Sequence, residues 1–158
     1  MHEDHHHHAR SGLGPYWLFA VNLLVSFAIM YFVMFAMIDT AGDFFHNLNM
    51  GYMAVMMAAP MGPLMLLTMG TMYPRKRLNL ALHLACLAAF LLAFAAIRFQ
   101  LAIDDAQFVR AMIPHHSGAI LMCREAELAD PQLQALCTDI IAAQRSEIEQ
   151  MRTIFERL

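Results

Sequence analysis

Charge is what this sequence has least of. Asp, Glu, Lys and Arg make up 15% of the chain against 59% hydrophobic residues, and the mean hydropathy is +0.49. That is too apolar for an ordinary soluble domain. Residues 16–38, 50–73 and 78–97 carry no formal charge at all. As helices, each is long enough to cross about 30 Å of hydrocarbon, so three membrane spans and a lipid bilayer around them are expected. Basic patches are missing too. Residues 98–158 hold six Arg against nine Asp plus Glu, which argues against a nucleic-acid partner. A basic n-region followed by a small-residue cleavage site is absent, so the first span is expected to remain as an anchor. In the spans and the C-terminal region, neither Glu-x-x-His nor His-Glu-x-x-His occurs. Without them a carboxylate-bridged di-iron redox enzyme and a zinc protease both lack their ligands, and an enzyme is the least supported class.

What is present divides the chain into three parts. Residues 1–15 have no apolar period and read as a disordered His-rich tail, whose His5, His6, His7 and His8 are either an inert tag-like run or a metal buffer. Residues 16–99 form the three-span membrane domain, and residues 100–158 a helical hairpin domain. The loop 39–49 has no basic residue, whereas Arg75, Lys76 and Arg77 are consecutive. By the excess of Lys and Arg in cytoplasmic loops, the N-terminus lies inside and the C-terminal hairpin outside a cell inner or plasma membrane.

The second span carries Met50, Met53, Met57, Met61, Met65, Met69 and Met72 at steps of three or four, one stripe on a helix. Met30, Met34 and Met37 form a matching stripe in the first span. Thioethers suit soft ions such as Cu(I), but methionine is equally an ordinary filler of apolar gaps, and packing is the weightier reading. Pro60 and Pro63 are expected to kink the second span and free carbonyls. In the third span His83 and Cys86 share a face, near Met65 and Met69 by reflection about the 74–77 turn. They are an intramembrane soft-metal candidate or, more simply, a packed thiol and an interhelical hydrogen bond.

The C-terminal region reads as one αα-hairpin. Asp104 with Gln107 resembles a capping box, and Asp130-Pro131 caps the second helix. Between them, Met112-Ile113-Pro114-His115-His116 puts a thioether, a helix-disturbing proline and two imidazoles into five residues. Pro114 removes the donor for the carbonyl of Arg110, so an irregular backbone is expected there. Reflection about Asp130 sets Cys123 opposite Cys137, His116 opposite Gln144 and Met112 opposite Ile148. Cysteines so placed outside the cytoplasm could pair as a disulfide. His116 and Gln144 are polar residues on otherwise apolar faces, needing each other or a ligand. Phe108, Ile120, Leu133, Ile140 and Ile148 form an apolar strip that a second copy or the spans must cover, most simply as a homodimer making a four-helix bundle.

The motif Asp105-x-x-Phe108-x-x-x-Met112-Ile113-Pro114-His115-His116-x-x-Ala119-Ile120, with Ile140-Ile141-x-x-Gln144-x-x-Glu147-Ile148-x-x-Met151 after it, resembles the family catalogued as domain of unknown function 305. The Met-rich spans, Met72-Tyr73, the basic turn and Asn79 resemble a membrane-anchored subgroup. The resemblance implies a ferritin-like helical fold and copper binding by exported members. It implies Met112, His115, His116 and Met151 as ligands, Met122 as a further donor, and Gln144 and Glu147 as supporting polar groups. The expectation is therefore an all-α protein: three transmembrane helices followed by an extracytoplasmic ferritin-like hairpin, binding Cu(I) for copper handling or tolerance. A purely structural module that bundles with a partner chain is the alternative, and a ferritin-like redox enzyme a weaker one.

Overall fold

The computed structural model describes residues 14–158; the His-rich run at 5–8 lies outside them. Gly14 and Pro15, read above as tail, already belong to the first helix. Helix α1 covers Gly14–Val33 and tightens into a 3₁₀ turn at Met34–Met37, and a second 3₁₀ turn occupies Ala41–Asp43. The second span is two helices, α2 (Leu48–Ala58) and α3 (Met61–Thr68), and the third is α4 (Lys76–Arg98). Helices α5 (Asp105–Glu125) and α6 (Pro131–Phe155) complete an all-helical chain, with no strand among the described residues. Gly14–Met37, Leu48–Thr68 and Lys76–Arg98 are long and apolar enough to cross a membrane.

The break between α2 and α3 falls where the prolines require it. Ala59 N still bonds Val55 O at 2.8 Å, but Pro60 has no N–H to continue the ladder. The break lets α3 lean onto α1 and α4. A Cβ added at Gly62 would lie 2.6 Å from Cys86 Sγ and 3.1 Å from Phe19, so only glycine permits this approach. Cys86 is buried there with Tyr16, Phe19, Leu66 and Tyr73. Below this cluster Tyr16 donates to Asn79 Oδ1 at 2.8 Å and accepts from Arg75 N at 3.0 Å, closing the basic turn onto α1.

At the other end, the short 35–47 segment is a wedge under the hairpin rather than a plain loop. Phe45 packs into the core made by Val109, Ile113, Ile120 and Ile148 of α5 and α6. The apolar strip expected to need cover from a second copy or from the spans is therefore divided. Ile120 and Ile148 are buried within the chain, while Phe108 is 51% and Leu133 48% exposed. The physical reason is that Phe45 and its neighbours supply the third wall that two helices alone lack.

Helix starts follow their caps. Asp104 accepts from Gln107 N at 2.7 Å, and Asp130 from Gln132 N and Leu133 N at 2.8 and 3.0 Å. The reciprocal arm of the capping box is diverted: Gln107 Oε1 accepts from Leu48 N at 3.0 Å, tying α5 to the start of the second span. The link into α5 holds Gln100 (φ 49°) and Ala102 (φ 57°) in left-handed conformation. Such residues cost of order 1–2 kcal/mol each, offset here by Gln100 side-chain bonds to Ile97 O (2.7 Å) and Asn49 (3.0 Å).

Candidate metal centre on the helical hairpin

Helix α5 runs unbroken across Pro114, where an irregular backbone was expected. The carbonyl that Pro114 leaves without a helical donor is that of Arg110. Asn47 Nδ2 approaches this carbonyl at 3.4 Å while also donating to Phe45 O at 3.0 Å. A side chain from the wedge thus stands in for the missing N–H, and the helix stays straight enough to present Met112 and His116 one turn apart on one face.

The wedge also fixes the rotation of α5. Ser117 is fully buried; its Oγ accepts from Asp39 N at 2.7 Å and donates to Asp43 Oδ2 at 2.6 Å. Asp43, 4% exposed, further accepts from Thr40 Oγ1 at 3.0 Å and from Arg152 of α6 at 2.6 Å. Asp39 forms an ion pair with Arg124 at 2.5 Å. The Arg124 pKa is raised above the ordinary arginine value, first by its hydrogen bond to Glu125 and also by the charge of Asp39, so the guanidinium stays charged. Beyond Ser117, a Cβ at Gly118 would sit 3.3 Å from Met37 O, which marks how closely α5 lies on the end of the first span. None of these wedge residues stands out in the sequence. The available signal was two aspartates in a short apolar loop, and a Ser-Gly pair directly after the histidines.

With α5 held this way, His116 faces α6. Its Nδ1 is buried and lies 2.9 Å from Glu147 Oε2, but off the line of a hydrogen bond. The expected partner, Gln144, is replaced by Glu147, three residues further along. Side chains lean toward the N-terminus of their own helix. In an antiparallel pair, long side chains therefore meet beyond the Cα register. The short cysteines obey the reflection instead: Cys123 and Cys137 are joined by a disulfide, Cα atoms 5.2 Å apart.

The contact between His116 and Glu147 sets two rows side by side. Met112 is four residues before His116 on α5, and Met151 four after Glu147 on α6, so both methionines fall one turn away in the same direction. Both are half-buried, and Met151 packs against the hairpin core. Gln144 is half-buried on the row of Glu147. His115 and Met122 are not brought to this group. The His115 ring is exposed with its centroid 6.0 Å from that of His116, and Met122 is 55% exposed. Among the described residues, no three His, Cys, Asp or Glu stand close enough to hold a metal. A site here therefore needs thioethers.

Within the spans, Cys86 and Met65 meet at the buried cluster around Phe19. His83 Nδ1 is 2.7 Å from Asn79 O, an intrahelical bond. Met30, Met34 and Met50 are half-buried, while Met37, Met53, Met57 and Met69 are 40–52% exposed on the outside of the helices. The two stripes are thus not gathered into one buried group.

Residues 94–155 match the family described as Domain of unknown function (DUF305). The chain is also 32% identical over 120 residues to "Uncharacterized protein L153" of Acanthamoeba polyphaga mimivirus, covering 75% of this chain and 77% of that protein. The chain belongs to the DUF305 family. The match takes in the whole of α5 and α6, so the His116 group and both bonded cysteines lie in the DUF305 portion. The likeness to the viral protein is longer and reaches back into the apolar helices. No solved structure matches.

Proposed function

We propose that this chain is a membrane-anchored metal-binding protein that holds Cu(I) on its hairpin, outside the cytoplasm, for copper handling or tolerance. The observation that carries the reading is the buried His116 Nδ1 beside the Glu147 carboxylate, with Met112 and Met151 one turn away on each helix. A ligating imidazole usually gives its second N–H to a carboxylate or carbonyl. Glu147, 2.9 Å from Nδ1, would take that role once the ring turns its N–H onto the carboxylate, which leaves Nε2 and the two thioethers as donors. Imidazole and thioether together select Cu(I) over hard cations. His115 and Met122, both exposed, stay outside this donor set, and Gln144 lies one turn from Glu147 on α6.

The outward orientation is supported by the basic turn at 75–77 opposite a loop without Lys or Arg. It is supported equally by the Cys123–Cys137 disulfide, since such bonds persist outside the cytoplasm. Phe108, Leu133 and Leu136 remain exposed on the hairpin, and a second copy packing there would complete a four-helix bundle.

The test is Cu(I) titration of the full chain in detergent against a competing chelator, with His2 and His5 to His8 replaced by Ala so that the tail does not bind. One Cu(I) per chain is expected. His116→Ala should abolish this uptake, and Glu147→Gln should weaken it by about ten- to a hundredfold, both with helicity retained. If His116→Ala binds as the parent does, the site is elsewhere, and the intramembrane methionines with Cys86 become the place to look.

A further inference from the structure

An open groove of about 320 Å³ runs along the junction of hairpin and spans, lined among others by Tyr31, His46, Gly51, Gln107 and Arg110. Its position is defined by its walls. Tyr31 is in the last turns of α1 and Gly51 in the first turn of α2, at the ends of two apolar helices, while Gln107 and Arg110 belong to α5. Gly51 makes the groove: a Cβ there would meet no atom within 4 Å. Glycine in a helix is destabilising relative to alanine, and no close packing requires it here.

Among the described residues, Arg110 is the only Lys or Arg lining this groove. The two other hairpin arginines that face the wedge meet aspartates, Arg124 with Asp39 and Arg152 with Asp43. Arg110 pairs with no carboxylate among the described residues. Its guanidinium carbon rests 5.2 Å from the centroid of the Phe155 ring. On the opposite lip, Tyr31 Oη and His46 Nδ1 are 3.0 Å apart. A half-buried guanidinium without a carboxylate partner among the described residues, in an open groove at the ends of two helices apolar enough to cross a membrane, has the chemistry of a phospholipid site. Planar guanidinium matches phosphate oxygens, and the open space beside Gly51, at the start of an apolar helix, leaves room for the top of an acyl chain.

We propose that this groove binds one phospholipid, its phosphate against Arg110 and the upper part of an acyl chain along Gly51 between α1 and α2. The proposal is independent of copper and rests on the reading that the three apolar helices span a membrane.

The experiment is native mass spectrometry of the full chain after incubation with dioleoylphosphatidylglycerol vesicles, with a phosphate-free galactolipid and inorganic phosphate as comparison probes. One phosphatidylglycerol per chain is expected. Arg110→Gln should lower its affinity about ten- to a hundredfold, the loss of a charge-assisted contact. Gly51→Leu, which fills the groove and leaves the charge, should do the same. Arg157→Gln, an equal change in net charge at an exposed position, should leave retention as in the parent. Far-UV circular dichroism confirms that each variant is folded. Equal retention in Arg110→Gln and Gly51→Leu would overturn the proposal. So would equal retention of the galactolipid, or inorganic phosphate that binds at Arg110 without lipid competing. A carbonate wash of membranes separates the two readings: release of the protein would remove the spanning assignment and the groove with it, while retained protein without bound lipid would overturn only the groove.

Discussion

Ser117 shows how much of the structure depends on one small residue. Its hydroxyl both accepts from Asp39 N and donates to Asp43, in a place with no solvent exposure. Ser117→Ala would leave a buried carboxylate one donor short, a loss of about 1–3 kcal/mol. Chemical denaturation of the full chain in detergent should show that drop, whereas Ser146→Ala, at an exposed position on α6, should leave stability unchanged. Residue identity in the sequence points to His116 and Met112 because a polar imidazole on an otherwise apolar face, one turn from a thioether, needs a partner or a ligand. It does not point to Ser117, Asp39 or Asp43. Their roles depend on a contact between segments some seventy residues apart, and nothing in local spacing encodes that distance.

Among the elements, the hairpin was the most legible in the sequence. Its caps at Asp104 and Asp130 are local chemistry, and local chemistry is readable from neighbouring residues. Pro114 was the reverse case. Its missing N–H argued for a disturbed helix, yet Asn47 from the wedge reaches the exposed carbonyl and the helix continues. The register was legible at Cys123 and Cys137, next to the turn, and drifted by three residues at His116, where long side chains meet off their Cα level. The disulfide closes a short loop, with 14 residues of sequence separation. By the chain-entropy argument its loss in a Cys123→Ser, Cys137→Ser chain should cost about 3 kcal/mol. The check is the denaturation midpoint of that double variant against the oxidised parent. A midpoint unchanged by the double replacement would mean that the hairpin ends are already held together by packing.

For the whole molecule, three apolar helices follow directly from three runs without charge, but the docking of the hairpin onto 35–47 does not. In a three-span chain that loop and the C-terminal region lie on the same side, so the contact is consistent with the span count whichever way the protein faces. Orientation is a separate claim. With Ala41→Cys at an exposed position of the wedge, a membrane-impermeant maleimide should label intact cells from outside. Labelling only after lysis would reverse the orientation and place the hairpin inside.

In the proposed site, thioethers and one imidazole, contributed by both helices of the hairpin, hold a single Cu(I). X-ray absorption of the copper-loaded full chain, with its tail histidines replaced by Ala, tests this most directly. Copper is expected in the Cu(I) state with both sulfur and nitrogen scatterers. The sulfur contribution should fall stepwise in Met112→Leu and in the Met112→Leu, Met151→Leu chain. A spectrum with only nitrogen and oxygen around copper, or a sulfur signal unchanged when both methionines are gone, would contradict it.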